Sequence, residues 1–262
     1  MDSVSPLWGI CDFSEIKNSL IDCRAKSRLP EKAKTVIVAC FPYLLSKENY
    51  INSNISKYAV VTDYHDVALA RLQKACDALQ SLYPLNSFAP FADNSPIPEV
   101  RAATLANLGV RGKNSLLITK EYGSYVFLGE IVTDLPLEAV NGKPQACIGC
   151  GRCITACPAH AISESGVESA KCLSAITQKK GELTDAEQEL MAECGCVWGC
   201  DICQDICPMN KTAAASTIAE FLADPLPVLT AETKLEGRAY AWRGKKVVER
   251  NLSIINQGES GK

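Results

Sequence analysis

The chain has only two histidines, His65 and His160, among its 262 residues, which excludes metal centres built from several imidazoles. It also lacks G-x-G-x-x-G and G-x-x-x-x-G-K-S/T, the glycine-rich turns whose amides cradle dinucleotide and nucleotide phosphates, so a nicotinamide or nucleotide enzyme is disfavoured. Long apolar runs are missing too. The longest, Val36-Ile37-Val38-Ala39-Cys40-Phe41, falls far short of the ~18 apolar residues of a membrane span, so no transmembrane helix is expected. The opening Met1-Asp2-Ser3-Val4-Ser5-Pro6 has neither the basic region nor the apolar stretch of a secretory signal, and a cytoplasmic location is expected. Neither sign of charge dominates: 27 basic and 30 acidic residues leave a net charge of −3, without the excess of a strongly basic nucleic-acid binder. No repeat, low-complexity block or charge run is present. With 47% hydrophobic and 22% charged residues, disorder and coiled coil are poor readings.

Cysteine is abundant, at fourteen residues. A disulfide framework belongs to small secreted domains, and a chain of this length needs no such staples. Ten of the fourteen lie between Cys147 and Cys207; Cys11, Cys23, Cys40 and Cys76 share no spacing and read as buried thiols.

The composition changes near residue 140, which suggests three parts: an α/β domain over 1–140, a cysteine-rich domain over 141–225, and an irregular or helical tail over 226–262. In the first part, Thr35–Phe41, Ser115–Thr119 and Tyr125–Val132 read as strands. Val67, Leu72, Cys76, Leu79 and Leu82 form a helical stripe between Tyr64 and Tyr83, with Thr62 or Asp63 placed to cap it and Pro84 beyond its end. A shorter helix is expected from Pro98 to Leu108, stopped by Gly109. Strands interleaved with helices argue an α/β layer arrangement. Asn141-Gly142-Lys143-Pro144 is a linker signal, and a polar helix is expected around Thr184–Met191.

The stretch Cys147-Ile148-Gly149-Cys150-Gly151-Arg152-Cys153-Ile154-Thr155-Ala156-Cys157-Pro158 is C-x2-C-x2-C-x3-C-P, the bacterial ferredoxin run. Three thiolates on one tight loop reach three irons of one cube, while the fourth cysteine points to a different cluster. A partial second run is Cys200-Asp201-Ile202-Cys203-Gln204-Asp205-Ile206-Cys207-Pro208. Crossing the last cysteines assigns one 4Fe–4S cluster to Cys147, Cys150, Cys153 and Cys207. The other takes Cys157, Cys200 and Cys203 and lacks one ligand, which Cys172, Cys194 or Cys196 could supply. Structural zinc also uses C-x2-C pairs, but the threefold register suits iron–sulfur. Clusters move single electrons, so the first domain is expected to hold an organic or organometallic acceptor.

An ordered series of segments resembles the epoxyqueuosine reductases. These are Tyr58-Ala59 with Asp63-Tyr64-His65-Asp66-Val67; Asp93-Asn94-Ser95-Pro96 with Glu99; Gly109-Val110-Arg111-Gly112-Lys113-Asn114-Ser115-Leu116-Leu117-Ile118; and Gly123-Ser124-Tyr125-Val126-Phe127-Leu128-Gly129-Glu130-Ile131, followed by the cysteine runs. The resemblance implies a cobalamin-binding α/β domain followed by a two-cluster ferredoxin-like domain. It implies a cobalamin-dependent reductase of the epoxide of a modified tRNA wobble nucleotide, fed one electron at a time by a ferredoxin or flavodoxin. Asp93 matches the family's proton donor, expected as a carboxylic acid with a pKa raised by an apolar pocket. Cobalamin contacts are implied around Leu117 and Leu128, with Lys113 facing an anionic group of the cofactor and His65 close to it. Lys171-Cys172-Leu173-Ser174-Ala175 matches the segment that supplies the missing ligand, favouring Cys172, with Cys196 the rival. Trp198 is expected to shield the clusters from water.

The chain departs from the family at Val110, where members carry tryptophan. Arg250-Asn251-Leu252-Ser253-Ile254-Ile255 resembles the entry into the helical repeats that grip tRNA in many members, but the sequence ends soon after it at Lys262, so tRNA binding is expected to be weak. Two other readings accompany this one: a corrinoid-dependent reductase of another small substrate, as in the reductive dehalogenases, and an electron-transfer protein serving a corrinoid partner.

Overall fold

A computed structural model of the chain describes residues 1–140 and 142–260; Asn141, where the linker signal begins, lies outside the described residues. In chain order the first half has β1 (Leu7–Asp12), β2 (Thr35–Pro42), α1 (Lys57–Val60), α2 (Tyr64–Leu82), β3 (Phe88–Ala92), α3 (Glu99–Leu105), β4 (Val110–Arg111), β5 (Leu117–Ile118) and β6 (Val126–Thr133). The second half has α4 (Arg152–Ala156), β7 (Ile162–Ser163), β8 (Gly166–Val167), α5 (Leu173–Thr177), α6 (Asp185–Cys194), α7 (Ile202–Asp205), α8 (Ala219–Leu222) and α9 (Lys245–Ser260).

The sheet is built around β2, Thr-Val-Ile-Val-Ala-Cys-Phe-Pro, which is buried at every position. A strand covered on both faces needs no polar alternation. It pairs antiparallel with β1 on one side and β6 on the other, and β3 adds to the far edge of β6, giving the order β1-β2-β6-β3. The period of two sorts its side chains: Ile37, Ala39 and Phe41 enter one core, and Val36, Val38 and Cys40 the opposite one. α2 covers the first face and α3 the second. Because the sheet is wholly antiparallel, this mixed domain is of the α+β kind. β3 contains Pro90, which an edge strand tolerates because no ladder hydrogen bond is required on its outer side.

Asp63 caps α2, its carboxylate accepting the His65 amide at 3.0 Å. α6 opens with a reciprocal capping box between Thr184 and Glu187 and ends at Gly195 in the left-handed conformation. In the tail, α9 packs against α6.

The core does not divide at residue 140. Leu173, Ile176, Met191, Trp198, Tyr240 and Val248 share one continuous apolar cluster with Phe41, Leu72 and Phe127. A buried polar knot ties the second cysteine run to the strand region: Asn210 Nδ2 donates to Ser124 Oγ and the Gln204 carbonyl, both at 2.8 Å, and Gln204 Nε2 donates to the Ser124 carbonyl at 3.0 Å. Satisfied buried networks of this kind fix one arrangement, since each unpaired group would be costly. No helix among the described residues is long and apolar enough to cross a membrane.

Candidate redox and proton-transfer site

Gly149 and Gly151 have φ of 71° and 72°, and a Cβ at either would meet nothing within 4 Å. Glycine is therefore required there by backbone conformation, not by crowding. The resulting turn brings Cys147, Cys150 and Cys153 to a small cleft that Cys203 and Cys207 also line. Lys113 lies at this cleft, where its Nζ is 2.5 Å from Glu164.

A second cavity, of about 360 Å³, is lined by Cys157, Cys172, Cys200 and Cys203. Cys196 is turned away from it: its thiol donates to the carbonyls of Trp198 at 3.4 Å and Gly199 at 3.0 Å, and with Cys194 it borders a separate hollow. Among the described residues no three His, Cys, Asp or Glu side chains converge closely enough to hold a single metal ion. Burial pushes the Cys203 thiol up to about 11 and the Cys200 thiol up to about 12.

The wall facing those cysteines is aromatic and apolar. Tyr43, Tyr58, Tyr64, Leu116, Val126 and Phe127 line it. Phe127 lies 4.0 Å from Tyr64 with the rings 6° from parallel, and Tyr64 lies 4.0 Å from the His65 ring. This stack connects the cysteine cavity to the corner that holds Asp93. Tyr58 Oη accepts a hydrogen bond from Trp198 Nε1 at 2.8 Å, and Trp198 is fully buried beside the second run. The side chains of Leu117 and Leu128 enter the core on the other sheet face. Their chain neighbours Leu116 and Phe127 reach the cavity instead.

At the corner, His65 stands between two carboxylates. Its Nδ1 is 2.6 Å from Asp63 Oδ1 and its Nε2 is 3.1 Å from Asp93 Oδ2. Ionised carboxylates only accept hydrogen bonds, so both ring nitrogens donate and the ring is an imidazolium. Burial opposes that charge, but the bonds to Asp63 and Asp93 outweigh it and raise the His65 pKa to about 9. The same imidazolium holds Asp93 below the usual carboxylate range. The expectation of an Asp93 acid made weak by an apolar pocket is thus corrected: its side chain is 58% exposed, and its neighbour is a cation. Asp93 also adopts φ of 53°, a left-handed conformation uncommon outside glycine, asparagine and aspartate.

The acid raised by burial is Glu99, up to about 8, and Glu130 lies behind it, well above the ordinary range for the same reason. Sequence reasoning gave neither a role. Glu99 resembles an ordinary first-turn helix acid; the available signal was Glu130, a carboxyl within the otherwise apolar strand of β6.

Residues 24–94 match the family described as epoxyqueuosine reductase QueG, DUF1730, and residues 146–210 match the 4Fe–4S double cluster binding domain. An epoxyqueuosine reductase from Lactococcus garvieae is 31% identical over 259 residues, covering 91% of this chain and 73% of its own. The chain belongs to the epoxyqueuosine reductase family. Another relative of that name, from Gloeobacter violaceus, is 41% identical over 176 residues, covering 64% of this chain and 54% of its own. The Escherichia coli epoxyqueuosine reductase is 35% identical, and the chain spans 50% of its length. Among solved structures, epoxyqueuosine reductase from Streptococcus thermophilus has a TM-score of 0.79 at 26% identity, covering 96% of this chain and 77% of that one. A structure of the family with an epoxyqueuosine-modified tRNA stem loop has a TM-score of 0.79 at 25% identity, over 97% and 78% of the two chains.

Proposed function

We propose that this chain is an iron–sulfur and cobalamin-dependent oxidoreductase that reduces the epoxide of epoxyqueuosine in tRNA to the alkene. The observation that carries the reading is the stack His65–Tyr64–Phe127, which links a carboxylate–imidazolium pair to a cavity ringed by cysteines. Electron supply and proton supply thus meet across one aromatic wall.

Cys147, Cys150, Cys153 and Cys207 are proposed to hold one 4Fe–4S cluster and Cys157, Cys172, Cys200 and Cys203 the other. The C-x2-C-x2-C-x3-C-P register supports this crossed assignment. Cobalamin is proposed to lie against the aromatic wall, where Tyr64, Leu116, Val126 and Phe127 present flat or apolar surface to a macrocycle. His65 is engaged at both ring nitrogens and His160 is exposed on the first cluster loop, so neither imidazole is offered as an axial ligand. When bound, the cofactor supplies a strongly nucleophilic reduced cobalt. The electron donor is proposed to be a ferredoxin or flavodoxin, and the place of action the cytoplasm.

The net reaction takes up two electrons and two protons and releases water. The opened epoxide oxygen needs a proton before it can leave. At neutral pH the His65–Asp93 pair holds a transferable one on the Nε2 side of the ring, and the exposed Asp93 carboxylate conducts it outward. Tyr64 and Tyr58 stay protonated because burial raises both phenols, so they orient the substrate without competing as bases. With a net charge of −3, few phosphate contacts are expected and tRNA should be held weakly.

The test is anaerobic reconstitution with iron, sulfide and cobalamin, followed by mass spectrometry of tRNA carrying epoxyqueuosine after addition of a one-electron reductant. Conversion to queuosine is the expected result. Stoichiometric flavin or nicotinamide binding without corrinoid uptake would sink the reading.

A further inference from the structure

The turn that carries Asp93 rests on two carboxyl groups that the reaction does not use. Glu130 lies in the middle of β6, opposite Val38 on one side and Phe91 on the other, and is completely buried. One of its oxygens accepts the Ser95 hydroxyl at 3.1 Å; the other is buried without a partner. Glu99, in the first turn of α3, stands beside Asp93 and likewise keeps one buried oxygen unpartnered. Ser95 Oγ in turn accepts the Ile97 amide at 3.1 Å. Glu130 therefore holds the turn at its third residue, and Glu99 stands against its first.

Burying a carboxyl among Val36, Val38 and Val132 is costly, and an amide or hydroxyl donor could be satisfied at the surface. Asp93 sits at φ of 53°, which persists only where the surroundings over-determine it. We propose that Glu99 and Glu130 are positioning residues: two buried acceptors that hold the Asp93–Ser95 turn inward and fix where the Asp93 carboxylate stands relative to His65. Two neighbouring acids in an apolar pocket cannot both ionise, so the pair is kept partly protonated and its role is to accept hydrogen bonds, not to carry charge.

The inference rests on the epoxide-reducing reading for its activity readout only. Hydrogen exchange at residues 93–97 reads the turn without substrate and separates failure of this inference from failure of that reading. The reconstituted holoprotein would be compared with Glu99→Ala, Glu130→Leu, Glu99→Gln and Glu130→Gln. Glu99→Ala and Glu130→Leu should raise exchange at the turn about tenfold. They should lower kcat by roughly 10–100-fold, the usual cost of misplacing a reacting group by about an ångström, while KM stays within about twofold. The glutamine variants keep the acceptor oxygen and should restore both readouts to within about threefold. Unchanged exchange and kcat in Glu99→Ala and Glu130→Leu would overturn the proposal. So would a Glu99→Gln variant as slow as Glu99→Ala, because the proton and not the acceptor would then be required. If the alanine and leucine variants do not fold, the glutamine variants decide: near-normal exchange and kcat support the proposal, and loss of either overturns it.

Discussion

His65 Nε2 lies 3.1 Å from Asp93 Oδ2, and its other ring nitrogen lies 2.6 Å from Asp63, so one imidazolium is clamped between two carboxylates. Asp93 alone, held below its ordinary pKa, would be a poor proton donor at neutral pH. In the proposed reaction the acid is the pair, with its proton on the ring.

Replacing Asp93 by asparagine preserves the size of the side chain and suits a left-handed backbone. It removes the route by which the proton leaves the ring. Iron content and corrinoid uptake should be unchanged, while single-turnover epoxide reduction falls by roughly 10²–10⁴-fold, the usual worth of a general acid. If Asp93 served only to shape the turn, asparagine would substitute well and turnover would barely change.

The pH dependence follows from His65. Its folded pKa, about 9, lies above the ordinary histidine value, so the stability it contributes is complete below the unfolded pKa of ~6.5 and is lost as pH rises through about 9. Asp93 and Asp63 are depressed, so their contribution is present above the unfolded carboxylate value and is lost as pH falls through their folded values. Thermal unfolding of wild type and His65→Asn across pH 5–10 should therefore give curves that differ most below about pH 6.5 and converge above about pH 9. The alkaline fall in single-turnover rate should be missing from the variant.

Cluster content separates Cys172 from Cys196. If Cys172 completes the second cluster, Cys172→Ala should lower iron from about eight to about four per chain. Cys196→Ala should leave iron unchanged, since that thiol is already spent on the Trp198 and Gly199 carbonyls. Iron analysis of anaerobically purified protein, with electron paramagnetic resonance of the reduced form, reads both variants. The reverse pattern would make Cys196 the ligand.

Gly199 has φ of 78°, and a Cβ there would stand 1.9 Å from Ser56 Oγ and 2.6 Å from Ser56 Cβ. Gly199→Ala must therefore strain the backbone and push α1 away from the second cysteine run. A cost of about 1–3 kcal/mol is expected, corresponding to a fall in Tm of several degrees for a chain of this size. An unchanged Tm would mean that the close approach of Gly199 to Ser56 is dispensable.

How much could be read from the sequence depended on how local each signal was. β2, β6 and α2 are legible because their apolar runs or stripes are long and because Asp63 and Pro84 bracket the helix. β1 and β3 are not: Leu-Trp-Gly-Ile-Cys-Asp and Phe-Ala-Pro-Phe-Ala are short, and Gly9 and Pro90 weaken the strand signal. Both sit at sheet edges, where pairing on one side overrides weak propensity. Ser115–Thr119 shrinks to the two-residue β5 because Gly112, Asn114 and Ser115 form a tight turn, with Ser115 at φ of 65°. In the tail, α9 forms because Val247, Val248, Ile254 and Ile255 find a face to pack against. The cysteines announce themselves by spacing, whereas the His65–Asp93 contact joins residues twenty-eight positions apart and is made only when the end of β3 meets the start of α2.

The apolar cluster that runs from Phe41 and Leu72 through Phe127 to Trp198, Tyr240 and Val248 has a consequence for modularity. A ferredoxin unit that had its own core could be exchanged between proteins as a cartridge. Here the cysteine segment keeps only a small cluster of its own around Cys157, Ala161 and Ile162, and the sheet takes part of its cover from α5, α6 and α9. Grafting a foreign two-cluster ferredoxin onto residues 1–140 would leave Phe127 and Tyr43 facing water, and the excised segment would have too little interior to hold its own loops. The sheet and the cysteine segment therefore fold as one piece, and neither can be swapped without the other.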